Sequence, residues 1–316
     1  MNDELRTGRD PEPKTFDVEL AVRTRYSAAS RSTESALCCA VSYDARFLDV
    51  LPQELIERDY GCGDPARYVA EGETVLDLGS GAGKTCYVAA QIVGERGRVI
   101  GVDMNDDMLA LARKHREEIC GRLGYDNVVF HKGRIQDLAL DLERLESYLR
   151  EHPATDAVSW CQAQRHAEQL RRAEPMIADE SIDVVISNCV LNLVTPEDRN
   201  QLFAELHRVL RPSGRAVISD IVSDREVPLH LKRDPELWSG CVSGAFTEQG
   251  LIQAFEAAGF ADVAIIARQE EPWTTVEAIE FRSVTVQANK RGVAAQNQPL
   301  TIAEPAGECC GKSPCC

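Results

Sequence analysis

The chain has 316 residues, 44% of them hydrophobic, and a formal net charge of −16 at neutral pH. That length and apolar content suffice for the core of one medium-sized domain with tails, while the excess of carboxylates opposes binding to a phosphate backbone or an anionic membrane. No apolar run reaches the roughly 18 residues of a bilayer span, and the first residues are polar and charged, so the expectation is a cytoplasmic protein acting on a small molecule, with no nucleic-acid or membrane partner.

Taken in chain order, residues 1–14 read as a polar tail and 16–27 as a helix, followed by a less regular stretch that holds Cys38 and Cys39. Residues 74–78 (TVLDL) form a short β-branched and apolar run that breaks at Gly79, Ser80, Gly81, Ala82 and Gly83, the pattern of a strand and a tight turn. Cys86, Ala89, Ala90 and Val93 then share one helical face, which Gly94 closes. Residues 98–102 read as a second strand ending at Asp103, with a helix over 106–122, and 127–131 as a third strand. The long connection 133–181 carries two amphipathic segments, 140–149 and 158–172, and reads as a surface insertion because structureless loops of that length are uncommon in compact domains. Strands follow at 182–187 and 215–221 around a helix at 197–210, and a helix at 247–258 precedes two closing strands at 261–267 and 280–286. Such alternation predicts an α/β fold with a mostly parallel, doubly wound, seven-stranded sheet and helices on both faces. The expected organisation is an N-terminal tail and helix (1–35), one domain (36–288, with the insertion at 138–180) and a disordered cysteine-rich tail (289–316).

The glycine turn lets a ligand approach the backbone closely. Asp103, about 20 residues further on at the end of the next strand, is where a carboxylate accepts the ribose hydroxyls of an adenosine-containing cofactor. A phosphate-binding P-loop needs a glycine five residues before Gly83, Lys84 and Thr85, where Leu78 stands, and a dinucleotide fingerprint needs a glycine or alanine where Lys84 stands. Asp77 with the turn resembles motif I of the class I S-adenosylmethionine methyltransferases. The resemblance implies a Rossmann-like fold in which Asp77, Gly79, Ser80, Gly81 and Gly83 face the methionine portion of the cofactor, Asp103 and Met104 hold the adenosine, and Ile135 and Gln136 flank the adenine; Asn188 joins the cofactor-facing set.

The twelve cysteines should stay reduced in such a compartment, and none lies in a CxxC…CxxC zinc pattern. In an open α/β sheet the ligand crevice lies beyond the carboxyl ends of the strands. Cys189 follows the fourth strand in SNCVLNLV, Cys241 follows the fifth in LWSGCVSG, and Cys62 sits just before the first in YGCG, where it can fold over the same opening. Taken singly, each is an ordinary buried cysteine. Three sulfurs at one crevice, two of them bordered by glycine, suit a soft, thiophilic centre, and a trigonal set leaves trivalent arsenic with its lone pair exposed.

These strings resemble the arsenite S-adenosylmethionine methyltransferases, through residues 60–63, 75–83, 187–194, 219–220, 238–245 and 281–284. The resemblance implies methyl transfer from S-adenosylmethionine to arsenite or its thiol conjugate, in arsenic detoxification. It makes Cys189 and Cys241 arsenic ligands, with Cys62 and either Cys39 or Cys38 completing the thiol set. It also implies a thiol reductant, thioredoxin or glutathione, to reopen a disulfide between Cys62 and Cys38 or Cys39. Longer members continue past the closing strands, whereas here about thirty polar residues follow, ending in two vicinal cysteine pairs. Two other functions fit the same residues: methylation of another small acceptor, and thiol-based metalloid binding without chemistry.

Overall fold

In a computed structural model, residues 17–34, 37, 41 and 43–292 are described. Cys38, Cys39 and the cysteine pairs of the C-terminal tail lie outside the described residues. The N-terminal helix α1 (Val18–Ala29) starts where the Asp17 side chain accepts the Leu20 N–H, satisfying one of the amides that a first helical turn leaves unpaired. Two short helices follow, α2 (Ala45–Leu48) and α3 (Gln53–Glu57).

The alternating section then runs β1 (Thr74–Leu78), α4 (Lys84–Val93), β2 (Arg98–Asp103), α5 (Asp106–Lys114), α6 (Arg116–Leu123) and β3 (Val128–Lys132). The single helix expected after β2 is thus two, broken at His115. Asn105 caps α5 by accepting the Asp107 and Met108 amides, and α6 ends at Gly124 with a left-handed φ of 83°, the C-terminal signal glycine supplies.

The insertion holds α7 (Leu142–Glu151) and α8 (Ala157–Ala173), capped by Asp141 and Asp156. The two pair with each other over a small cluster of Leu140, Ala167 and Leu170. No residue of α7 is fully buried, so the pair is a satellite of the main core. The chain continues with β4 (Ile182–Asn188), α9 (Arg199–Val209), β5 (Leu210–Ser223), α10 (Pro235–Ser239), β6 (Phe246–Thr247), α11 (Glu248–Ala257), β7 (Phe260–Arg268), β8 (Thr274–Val276) and β9 (Ile279–Lys290).

The sheet has the order β3-β2-β1-β4-β5-β9-β7, with β6 on β5 and β8 on β9. Its seven-strand path is the expected one; the two short extra strands carry too few residues to leave a periodic pattern. The first five strands are parallel, and β9 pairs antiparallel with both β5 and β7. Two boundaries differ from expectation. β5 begins at Leu210 although Pro212 and Gly214 read as breakers, because a register shift opposite Ile182 and Val184 absorbs them. β9 runs past residue 288 to Lys290, whose ammonium donates to the Leu210 carbonyl at 2.8 Å.

Apolar clusters fill both faces of the sheet, one under α4, α5 and α6 and the other under α9 and α11. A third gathers Cys62, Cys189 and Cys241 with Ile221 and Phe281 beyond the strand ends. No helix among the described residues is long and apolar enough to cross a membrane.

Candidate active site

Strand order reverses at β1, whose successor β2 lies on one side while β4 lies on the other. At such a switch point the two connections leave in opposite directions and open a crevice at the carboxyl ends of the strands. Gly79 and Gly81 line it with left-handed φ of 68° and 51°, a conformation costly for residues with a Cβ. A Cβ on Gly79 would also lie 2.5 Å from the Val190 side chain, in the loop after β4. The Asp103 carboxylate accepts the Gly81 amide at 2.9 Å and the Asn105 amide at 2.8 Å. Two of its roughly four acceptor positions therefore remain for ligand hydroxyls.

The cleft encloses about 1120 Å³, open mouth included, and every cofactor-facing candidate lines it except Gly83. Gly83 opens α4, and a Cβ there would lie 2.8 Å from the Phe130 ring; its glycine serves the packing of α4 on the sheet. Asp77 is buried, accepts the Cys86 thiol at 3.1 Å and is pushed up to about 7 by loss of solvation. Asn188 spends its amide on the loop above: it accepts the Cys62 and Gly63 amides at 2.8 and 3.0 Å and donates to the Gly63 carbonyl at 2.7 Å. It is thus the tether of the Cys62 loop.

An adenosine-bearing sulfonium fits these residues. Ser80 Oγ is buried and has no hydrogen-bond partner among the described residues, an expense usually met by a ligand or water. Met104, Ile135 and Val190 supply apolar walls, and the buried Lys84 ammonium, paired with Asp59 at 2.5 Å and set over the Tyr43 ring at 3.8 Å, stands at the turn.

Helix α1 roofs the cleft, a role its sequence does not announce. Glu19, Val22, Arg23 and Tyr26 face the cavity. Glu19 pairs with Arg134, and Asn105 donates to the Arg23 carbonyl at 3.1 Å. On the other side Arg25 reaches the Glu236 carbonyl at 2.8 Å and Ser239 Oγ at 3.1 Å on α10. One helix therefore spans the cofactor turn and the element leading to Cys241.

At that end of the cleft Cys189 and Cys241 are buried, and their sulfurs lie within 4.8 Å of each other and of an Asp220 carboxylate oxygen. Both residues have left-handed backbones, φ 61° and 63°, a strain of about 1–3 kcal/mol each that surrounding contacts must hold. Burial pushes Asp220 up to about 6. Burial, with the Cys241 and Cys189 thiols alongside, raises the Tyr26 phenol well above its ordinary range, and its hydroxyl bonds the Cys241 side chain. Cys62 shares the apolar cluster with both cysteines, but its sulfur is outside the 4.8 Å group. In the sequence Asp220 is an end-of-strand polar group open to a pocket role; that its carboxylate stands between the two acceptor-side cysteines is a finding of the structure.

Residues 70–149 and 161–259 match a family described as a methyltransferase domain. The chain is 35% identical to an arsenite methyltransferase of Aquipseudomonas alcaligenes over 74% of its own length and 58% of that protein. It is 36% identical to one of Halobacterium salinarum over 80% of its length and 54% of that protein. Among solved structures it resembles an arsenic(III) S-adenosylmethionine methyltransferase from Chlamydomonas reinhardtii, at 31% identity and a TM-score of 0.61, covering 78% of this chain and 73% of that one. The chain thus spans little more than half the length of these two curated relatives.

Proposed function

The chain belongs to the arsenite S-adenosylmethionine methyltransferase family, and from that premise we propose that it methylates trivalent arsenic held by its own thiolates. The observation that carries this is the approach of the Cys189 and Cys241 sulfurs to within 4.8 Å of one another in a buried cluster, with Cys189 on the cofactor cleft's wall.

Arsenite enters as the hydroxide. Two thiols displace two hydroxyl groups, each S–H proton leaving with a hydroxyl as water, and Cys62, as the third sulfur, displaces the remaining hydroxyl as water in the same way. Sulfur ligation suits a soft centre and leaves the arsenic lone pair as the nucleophile. Asp103 and Met104 would hold the adenosine, Ile135 and Gln136 would flank the adenine, and Gly79 to Gly81 would give the methionine portion backbone contact. S-adenosylmethionine held there would supply a methyl group on a sulfonium: the As–C bond would form as the C–S bond breaks, leaving a neutral thioether and pentavalent arsenic. The chain's own contribution is orientation and exclusion of water: α1 covers the cleft while the two thiol loops hold the acceptor at its end.

Returning arsenic to the trivalent state takes two electrons. Two thiols provide them by closing a disulfide, Cys62 with Cys38 or Cys39, and a thioredoxin-type protein or glutathione reopens it by thiol exchange. A cytoplasmic location keeps these thiols reduced. Residues 36–288 constitute the catalytic domain, with α1 as its roof. The test is incubation of the protein with arsenite, methyl-labelled donor and a thiol reductant, read by arsenic speciation: labelled methylarsenicals are expected, and unconsumed donor with unmodified arsenite overturns the proposal.

A further inference from the structure

We infer that Asp220 and Asn192 are positioning residues that hold Cys189 and Cys241 at chelating distance before arsenic arrives, an inference that rests on the thiol-ligand proposal above. Asp220 is 1% and Asn192 0% exposed. The carboxylate stands within 4.8 Å of both sulfurs, which invites its reading as a third ligand. Its hydrogen bonds argue otherwise. One oxygen accepts the Leu191 and Asn192 amides at 2.9 and 3.3 Å, and the other accepts the Asn192 side-chain amide and the Ile221 amide, both at 2.8 Å. Two donors on each oxygen fill the acceptor positions of a carboxylate, so Asp220 serves as the anchor of the loop that carries Cys189.

Asn192 extends the anchor to the other cysteine. Its side-chain NH₂ has two hydrogens; it donates to Asp220 at 2.8 Å and to the Ile221 carbonyl at 2.7 Å, and the Cys241 carbonyl at 3.3 Å shares one of them as the longer arm of a bifurcated bond. The loops touch elsewhere as well. A Cβ on Gly244 would fall 1.9 Å from the Asn192 carbonyl oxygen, and Arg199 bridges the Val194 and Gly244 carbonyls at 3.2 and 2.5 Å. Left-handed cysteines persist only where such contacts over-determine the backbone. The polarity of the pair is also directional: an amide at position 220 would set its own NH₂ against backbone N–H groups, and a carboxylate at 192 would face two carbonyls.

Arsenite needs two sulfurs at once, whereas an alkylating reagent needs one, and the difference separates positioning from mere presence of the thiols. The experiment measures arsenite binding, S-adenosylhomocysteine binding and the rate of N-ethylmaleimide labelling of Cys189 and Cys241 in wild type, Asp220→Asn, Asn192→Ser and Cys189→Ser. The expected result is arsenite affinity lowered roughly 10–100-fold in Asp220→Asn and Asn192→Ser, with S-adenosylhomocysteine affinity unchanged and both thiols labelled at least as fast as in wild type. The KM for arsenite rises while that for the methyl donor does not. Should Asp220→Asn fail to fold, Asn192→Ser carries the test, since it keeps the backbone bonds to the carboxylate; arsenite affinity at the wild-type level there overturns the inference. Failure of the underlying proposal looks different: wild type then binds no arsenite, or Cys189→Ser binds it equally well.

Discussion

The Cys241 thiol donates to the carbonyl oxygen of Cys189 at 3.1 Å. The side chain of one proposed ligand is thus bonded to the backbone of the other, across 52 residues of sequence. Under the proposed ligation, arsenic would replace this bond by taking the sulfur.

Replacing either sulfur by oxygen removes a soft donor while leaving size and burial nearly unchanged. Cys189→Ser and Cys241→Ser are expected to lose arsenite methylation while calorimetric titration with S-adenosylhomocysteine is indistinguishable from wild type. Full turnover in both variants would remove these residues from the ligand set.

Asp103 braces the turn and leaves acceptor positions for hydroxyls, so Asp103→Ala loses charge-assisted bonds on both sides. We expect affinity for the methyl donor to fall on the order of 10–100-fold, with arsenite binding to the thiols retained. Equal losses for donor and arsenite would instead mean that the substitution disturbs the whole cleft.

Gly244 lies against Asn192 because it has no Cβ. Gly244→Ala forces backbone from backbone, an overpacking that costs on the order of 1–3 kcal/mol. A denaturation midpoint lowered accordingly, together with weakened arsenite binding, is expected. A wild-type midpoint would show that the loops separate freely.

Burial raises Asp77 from an ordinary carboxyl value to about 7 in the folded protein. The folded state therefore holds this proton more tightly than the unfolded chain, and its stabilising contribution is complete below the unfolded value near 3.8 and lost as pH rises to about 7. The expected slope from this group is a loss of about 1.4 kcal/mol per pH unit across that window. Asp77→Asn should be less steep than wild type between about pH 5 and 7 by up to that amount, as read from urea midpoints; parallel pH profiles would place the Asp77 carboxyl at its ordinary value.

Much of this architecture was legible because its causes are local. The alternation of β-branched runs with amphipathic segments reports the pleat and the helical repeat within a few residues, and Asn105, Asp141, Asp156 and Thr247 mark helix starts by bonding amides two or three positions away. The glycine turn and Asp103 could be paired for the same reason, since consecutive parallel strands bring them together by rule. The break at His115 was missed because the residues on both sides of it favour helix, and the early start of β5 because Pro212 and Gly214 mislead unless the partner strand is known.

By itself, then, the sequence determined the doubly wound sheet, the cofactor turn, and the fact that Cys189 and Cys241 lie beyond the strand ends, since each follows from neighbours in the chain and the geometry of parallel strands. Only the tertiary structure decided that α1 roofs the cleft through Arg25, 211 residues from its partner Glu236, that Asp220 anchors the loop of Cys189 across 29 residues, and that both cysteines adopt left-handed backbones. Those features arise from hydrogen bonds and burial between segments distant in sequence, where no local preference of arginine, aspartate or cysteine specifies the partner.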